Sequence, residues 1–452
     1  MSPQAFDTFE LILEELQVSL DRGDMPRAVE IFAALRPADM AAVFDALDQE
    51  EQIALLGSLP ASESADILEE LDDEDVAELI ATLPNPQLVR IMDEMEPDEA
   101  ADLLGDIQPE RAEALLSDLE DEDELRPLLI HPDESAGGIM TSSFLALRRR
   151  MTVADALEAL RTWRPNAEAI YYLFVVDAQA RLAGVLDLRR FLIADPGTLI
   201  QDIMNPDVVS VRAGIDQEEV ARLMVRYDLL ALPVVDSQSR LLGVVTYDDI
   251  MDVLEEEATE DIQRLGGALP LKRSYLDTGI VTMTRKRIGW LLLLFVTATL
   301  TGSVMRVFQW ELEVMASLAI FIPLIIGTGG NAGSQTTATV IRALATGDVE
   351  WRDLFSVWWR EARVGLLLGA GMCVAAYARA ITWEPNPRLG LTVAVAIVGI
   401  VLWATSAGAI LPLIASRLKI DPTVVSGPVM STLVDATGLF IYFTLARLIL
   451  GL

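Results

Sequence analysis

Residues 285–452 carry five long apolar stretches, at about 288–308, 315–344, 364–381, 389–418 and 423–450. Each is long enough to cross a bilayer as a helix of about 20 residues. In hydrocarbon every backbone N–H and C=O must be paired within the segment. This part of the chain is therefore restricted to a bundle of transmembrane helices.

The last stretch contains a single acidic residue, Asp435, and the nearest basic residue in it, Arg447, lies near its far end. A carboxylate at such depth is costly unless it meets water, a partner charge or a cation. We read Asp435 as a cation site on a conduction path, in preference to a protonated structural Asp. The second stretch holds Pro323 and then Gly327-Thr-Gly-Gly-Asn331-Ala-Gly-Ser-Gln335. Close packing through small residues accounts for the glycines but not for the amides and hydroxyls. Gly329, Gly330, Asn331 and Gln335 are accordingly expected to line the pore, with Thr432 beside them.

Basic residues set the orientation. Arg285-Lys-Arg287 precedes the first span, Arg352, Arg360 and Arg363 fall between the second and third, and Arg417 and Lys419 between the fourth and fifth. The opposite loops mix Arg306, Arg379 and Arg388 with Glu311, Glu313 and Glu384. The positive-inside bias places the large N-terminal region in the cytoplasm and the C-terminus outside. Residues 1–22 are acidic and amphipathic, unlike a signal peptide. The one cysteine, Cys373, excludes an intramolecular disulfide and a CxxC metal motif.

Charge is unevenly distributed. Residues 1–135 hold 38 Asp and Glu against 6 Lys and Arg, a net of −32 within a chain total of −35. Such a surface repels nucleic acid and anionic lipid. The acidic region is nonetheless periodic. From Leu35 onward, units of twelve or thirteen residues open with Pro, Asp or Glu and close on an apolar residue, at Leu47, Leu59, Leu71 and Leu83 and on to Leu119. Pro and acids suit a helix's first turn. Units this short must stack to bury a core, which predicts an all-α superhelix. Cations would relieve its self-repulsion, which makes it a candidate cation sensor.

A second repeat follows. The run from Val175 to Val185 recurs from Val234 to Val244 with identical Val-Val-Asp, Arg-Leu and Gly-Val elements, and Ile139-Met and Ile203-Met stand upstream of the two copies. Each copy reads strand, turn, strand, helix. The pair resembles tandem CBS (cystathionine β-synthase type) modules, which bind adenosine nucleotides and gate attached domains.

Taken together, the chain resembles the MgtE family of magnesium channels and transporters over essentially all 452 residues. The most specific pieces are 327–335, Asp421-Pro422 and 428–438. The resemblance implies an acidic helical N domain (1–132), an α+β CBS pair (133–256, divided into about 137–198 and 199–256), a connecting helix (257–284) and a five-helix membrane domain (285–452). It implies a homodimer in the cell inner membrane with one pore, Asp435 at a hydrated Mg2+ site, and regulatory Mg2+ between cytoplasmic domains. Carried over residue by residue, it assigns Asp98, Asp102, Gly138, Asp228, Asp249 and Asp252 to regulatory cations. It likewise assigns Tyr172, Arg189 and Leu229 to a nucleotide such as ATP. Where family members can carry Arg-Asp, this chain has Arg189-Arg190, which removes an acceptor for ribose hydroxyls.

Residues 250–265 read as an amphipathic helix ended by Gly266-Gly267, with a second helical stretch leading to Arg285. Glu260 and Asp261 on that helix are expected to face Asp421, repelling when alone and drawn together by a divalent ion, and Glu257 is counted with them among the regulatory metal residues. Mg2+ is hard and dehydrates reluctantly, so one carboxylate per subunit with many waters suits it. Residue chemistry alone leaves Mn2+, Co2+ and Ca2+ open. Two other classes were weighed. Catalysis finds no P-loop, nucleophile elbow or paired-histidine motif, and a membrane-anchored sensor without transport would not need Asp435.

Overall fold

The computed structural model describes residues 3–163, 172–271, 275, 278–425 and 427–452. They form two compact units, Met1–Glu255 and Glu256–Leu452.

The first unit opens with short helices: α1 (Pro3–Asp21), α2 (Met25–Phe32), α3 (Pro37–Asp45), α4 (Gln49–Leu56), α5 (Ala61–Glu69), α6 (Asp73–Thr82), α7 (Asn85–Met92), α8 (Pro97–Asp106), α9 (Pro109–Leu116) and α10 (Glu122–Leu125). Their starts are written in the sequence. Pro occupies the first turn of α3, α7, α8 and α9, where no N–H partner is needed. Asp48 and Glu51 form a capping box on α4. Alternate helices pack, α3 on α5, α5 on α7, α6 on α8 and α7 on α9, so the units stack as a superhelix. Side chains tie units about two repeats apart. Glu69 accepts from the N–H of Glu96 at 2.8 Å, Asp93 accepts from that of Glu120 at 2.9 Å, and Arg111 donates to the carbonyl of Leu83 at 2.7 Å. The core is aliphatic with Phe32 and Phe44 fully buried, each ring contributing about 1.5–3 kcal/mol over exposure.

Two three-stranded sheets follow. The first comprises β1 (Ala146–Arg148), α11 (Val153–Trp163), β2 (Tyr172–Val176), β3 (Leu182–Asp187), α12 (Leu188–Leu192) and α13 (Ile200–Ile203). The second comprises β4 (Val211–Arg212), α14 (Gln217–Tyr227), β5 (Ala231–Val235), β6 (Leu241–Thr246) and the start of α15 (Tyr247–Leu265). In each, the middle strand runs parallel to the first and antiparallel to the third, with an irregularity at the matching valine pair. The turns match as well. Asp177 and Asp236 each accept two backbone N–H groups, and Ala180 and Ser239 sit at φ 59° and 60°. The leading Ile-Met segments are exchanged. Thr141, of the first repeat, bridges Val244 of β6, and Asn205, of the second, bridges Val185 of β3. A Cβ at Gly243 would meet the Met140 sulfur at 2.7 Å, and one at Gly184 would meet that of Met204 at 2.6 Å.

The second unit holds five helices long and apolar enough to cross a membrane. They are α16 (Ile280–Val307), α18 (Ser317–Ala345), α19 (Leu354–Trp383), α20 (Pro387–Arg417) and α21 (Gly427–Leu450), with the short α17 (Gln309–Val314) between the first two. α20 is the most buried and packs on α18, α19 and α21, whereas α16 packs on α21 and has no buried residue. α19 starts ten residues before the apolar run at 364, because Trp358, Trp359, Arg360, Glu361 and Arg363 extend the helix past its hydrocarbon-facing part. α15 ends at Leu265, and Gly267 takes φ 75°, as the paired glycines required. The second helical stretch expected before Arg285 is the start of α16 at Ile280, and residues 272–274 and 276–277 lie outside the described residues.

Candidate functional site

Asp435 sits in the third turn of α21 and is half-buried. Its Oδ1 is buried without a hydrogen-bond partner. Such an oxygen carries the full cost of lost hydration until a cation or water meets it. Thr432, one turn earlier, donates its hydroxyl to the carbonyl of Pro428 at 2.9 Å, leaving its own oxygen lone pairs as acceptors.

α21 lies against the glycine run of α18, and here the structure corrects the sequence reading. Gly329 and Gly330 are buried packing positions, not exposed lining residues. A Cβ at Gly329 would stand 2.6 Å from Ile400 and 2.7 Å from Val434, and one at Gly330 would stand 3.2 Å from the Ser431 hydroxyl. Gly333 also faces Met430 and Val434 of α21, and on the side of α20 its carbonyl lies 2.7 Å from a Cβ at Gly408. Asn331 and Gln335 fall on another face of α18, together with Gly327, and are exposed. Asn331 and Gln335 thus share one face with Gly327, and the buried Gly329, Gly330 and Gly333 serve another. Glu361 of α19 accepts from the Thr336 hydroxyl at 3.3 Å.

A second cluster lies where α15 meets the loop before α21. Asp421 caps the 3-10 turn Pro422–Val424, accepting from the N–H of Thr423 at 2.8 Å. Its other oxygen accepts from Arg264 at 2.7 Å, and Arg264 also pairs with Glu260. Asp261 is pushed above the usual carboxylate range by burial, then by the charges of Asp421 and Glu257, with Arg264 and Arg342 opposing. Asp261 thus feels the charges of Asp421 and Glu257, and Glu260 is linked to Asp421 through Arg264. The cation between Glu260 and Asp421, however, is a guanidinium that the sequence reading overlooked. An i,i+4 Glu260/Arg264 spacing was the available signal.

In the first unit, α8 buries Asp98 to 5% exposure with its Oδ1 unpartnered. Burial pushes its carboxyl well up, and the Asp249 charge pushes further. Asp249, at the start of α15, is pushed up to about 6 by burial, although it accepts from the Thr246 N–H at 3.2 Å and from the Thr246 hydroxyl at 2.5 Å. Asp252, exposed one turn on, acts electrostatically on Glu70, a neighbour the sequence did not suggest. Asp102 is exposed on α8, and Asp228 is an exposed left-handed cap of α14 at φ 52°. Gly138 is buried, and a Cβ there would collide with the carbonyls of Pro132 and Asp133. Among the described residues no three Asp, Glu, His or Cys gather around one point as a metal site. Carboxylates that meet only in pairs, such as Asp98 with its unpartnered oxygen beside Asp249, fit a hard cation that keeps most of its water, rather than one fully coordinated by protein.

Around the CBS pair, Tyr172 opens β2 and packs with Phe174, Ala231 and Val244. Asp187 caps α12 by accepting from the N–H groups of Arg189 and Arg190. Arg189 is exposed, and Leu229 packs on the core of the first unit.

Known proteins bear on this arrangement. The family described as "Divalent cation transporter" (MgtE) matches residues 322–445, the "MgtE intracellular N domain" matches 35–134, and the CBS domain matches 136–197 and 200–256. The magnesium transporter MgtE of Thermus thermophilus is 46% identical over 327 residues, 72% of each chain. The magnesium transporter MgtE of Bacillus subtilis is 37% identical over 319 residues, 71% of this chain and 70% of its own. The crystal structure of the cytosolic domain of the Mg2+ channel MgtE in complex with ATP is 41% identical. It covers 53% of this chain and 99% of its own, with a TM-score of 0.51. With an N domain, a CBS pair and five candidate spans in that order, and relatives named as transporters, the chain belongs to the MgtE family of divalent cation transporters.

Proposed function

We propose that the protein is a homodimeric Mg2+ channel of the cell inner membrane, gated by cytoplasmic Mg2+. The observation that carries the transport reading is the buried, unpartnered Oδ1 of Asp435 on a span packed against a glycine-bearing helix. Two copies of Asp435 across a two-fold axis offer a hydrated divalent ion a charge of −2 without stripping its waters. Asn331, Gln335 and Thr432 supply polar groups to the same path. The basic residues put the N-terminus in the cytoplasm and the C-terminus outside.

Regulation is assigned to the N domain (1–132), the CBS pair (133–256) and the connecting segment (257–284). Asp98 with Asp249, and Asp261 with Asp421, are like charges held close. A divalent ion turns each repulsion into two attractions and so favours the compact arrangement. Asp102, Asp228, Asp252 and the carbonyl of Gly138 are assigned to the same regulatory ions. An adenine nucleotide at Tyr172, Arg189 and Leu229 follows the ATP complex of the related cytosolic domain.

The test is Mg2+ flux into proteoliposomes. Asp435→Ala is expected to insert normally and lose most flux, and Asp435→Glu to retain part. Wild-type flux in a correctly inserted Asp435→Ala protein refutes the proposal.

A further inference from the structure

The mechanism above does not use Glu311, a carboxylate with 0% exposure on the short helix between the first two spans. Its Oε1 accepts from Arg447 Nε at 2.7 Å and also from Arg447 Nη2, and its Oε2 is buried without a partner. Arg447 belongs to the last turn of α21, the helix that carries Asp435. The Arg447 guanidinium also lies 5.2 Å from the centre of the Phe308 ring, and Phe308 stacks on Phe443 at 5.1 Å and meets Phe440 edge-on at 5.8 Å. Residues 440, 443 and 447 form one stripe of α21. That stripe is fixed to the corner between α16 and α17.

Against the α18 glycines α21 packs closely through Met430, Ser431 and Val434, and it makes single hydrogen bonds to its other neighbours: Tyr442 donates to the carbonyl of Leu318 at 3.2 Å, and Trp403 of α20 donates to the Thr437 hydroxyl at 2.8 Å. The forked Arg–carboxylate contact is directional, because two N–H groups of a planar guanidinium must point at one oxygen. Asp435 lies about 18 Å along the helix from Arg447, and about 80° around from Phe443. A small rotation about the aromatic stripe therefore re-aims the Asp435 carboxylate.

We propose that Glu311 and Arg447 are a positioning pair that fixes the rotation and axial register of α21, and with them the depth and direction at which Asp435 meets the transported cation. The inference rests on the transport reading of Asp435 but concerns a different end of the helix.

The experiment uses the full-length protein in proteoliposomes, with Mg2+ and Ca2+ flux measured against ion concentration. Arg447→Met leaves a buried carboxylate without its counter-charge. It is expected to raise half-saturating Mg2+ by about fivefold or more and to reduce the preference for Mg2+ over Ca2+. The double variant Glu311→Gln/Arg447→Gln keeps a hydrogen bond without charge and is expected to restore both to within about twofold. If Arg447→Met does not insert, Arg447→Lys carries the same test, since it keeps the charge but loses the planar fork, and a shift of about twofold in the same direction is expected. A fall in inserted protein or maximal flux with unchanged half-saturation and ion preference overturns the proposal, since that is the signature of a merely structural contact. So does a double variant no better than the single one. Absence of flux in the wild type would instead refute the transport reading.

Discussion

The buried carboxylate pair of the cytoplasmic unit gives the sharpest quantitative expectation. Burial pushes the Asp249 carboxyl up to about 6 from an ordinary 3.8, which corresponds to about 3 kcal/mol. A raised carboxyl favours the folded state while protonated. Its contribution is fully present below pH 3.8 and is lost as pH rises through about 6. Asp249→Asn removes that loss while keeping an oxygen to accept from Thr246. The substitution is therefore expected to stabilise residues 1–255 by up to about 3 kcal/mol at pH 7.5 and by almost nothing at pH 4. Urea denaturation followed in this unit at the two pH values measures the difference. Added Mg2+ should narrow the gap at pH 7.5, because a bound cation offsets the same repulsion in the unaltered chain. A gain equal at both pH values, or none at pH 7.5, refutes the reasoning, since neither traces to a buried charge.

Other outcomes follow from separate parts of the molecule. Arg264→Gln breaks a partly exposed bridge worth about 0.5–1 kcal/mol; proteolysis within 262–285 should quicken without Mg2+ and return to the wild-type rate with it. Gly408→Val drives a side chain into the carbonyl of Gly333 and should destabilise the detergent-solubilised protein by about 1–3 kcal/mol in thermal unfolding. Gly371→Ala, with open space around its Cβ position, should be neutral in the same assay. Deleting residues 1–130 should leave flux intact and weaken inhibition by cytoplasmic Mg2+; an unchanged inhibition midpoint and depth would remove the N domain from regulation.

Features that recur along the chain were the legible ones. The twelve-residue period became stacked short helices because each unit carried its own start, as Pro37, Pro97 and Pro109 show. The Val175/Val234 repeat became two sheets of matching register. Contacts between distant elements were not legible. Nothing local tells Arg447 to pair with Glu311, 136 residues earlier, or Arg264 with Asp421. The glycine run was misread for a different reason. Small residues mark both close helix contact and pore lining, and only three dimensions separate Gly329 and Gly330 from Asn331 and Gln335. The early start of α19 escaped notice because hydropathy reports lipid depth rather than helix length.

The exchanged Ile-Met segments of the CBS pair bear on how the chain reaches its fold. Met140 and Thr141 complete the sheet built from β4, β5 and β6, and Met204 and Asn205 complete the earlier one. The first of these contacts closes a loop of about a hundred residues, which slows folding relative to local pairing. During synthesis the earlier module emerges with its last edge unfilled until Asn205 has left the ribosome, and residues 139–141 must wait longer still for β6. Cutting the pair at its midpoint would yield two fragments that each hold the other's missing piece, so complementation of the separated halves, rather than autonomous folding of either, is the behaviour this wiring entails.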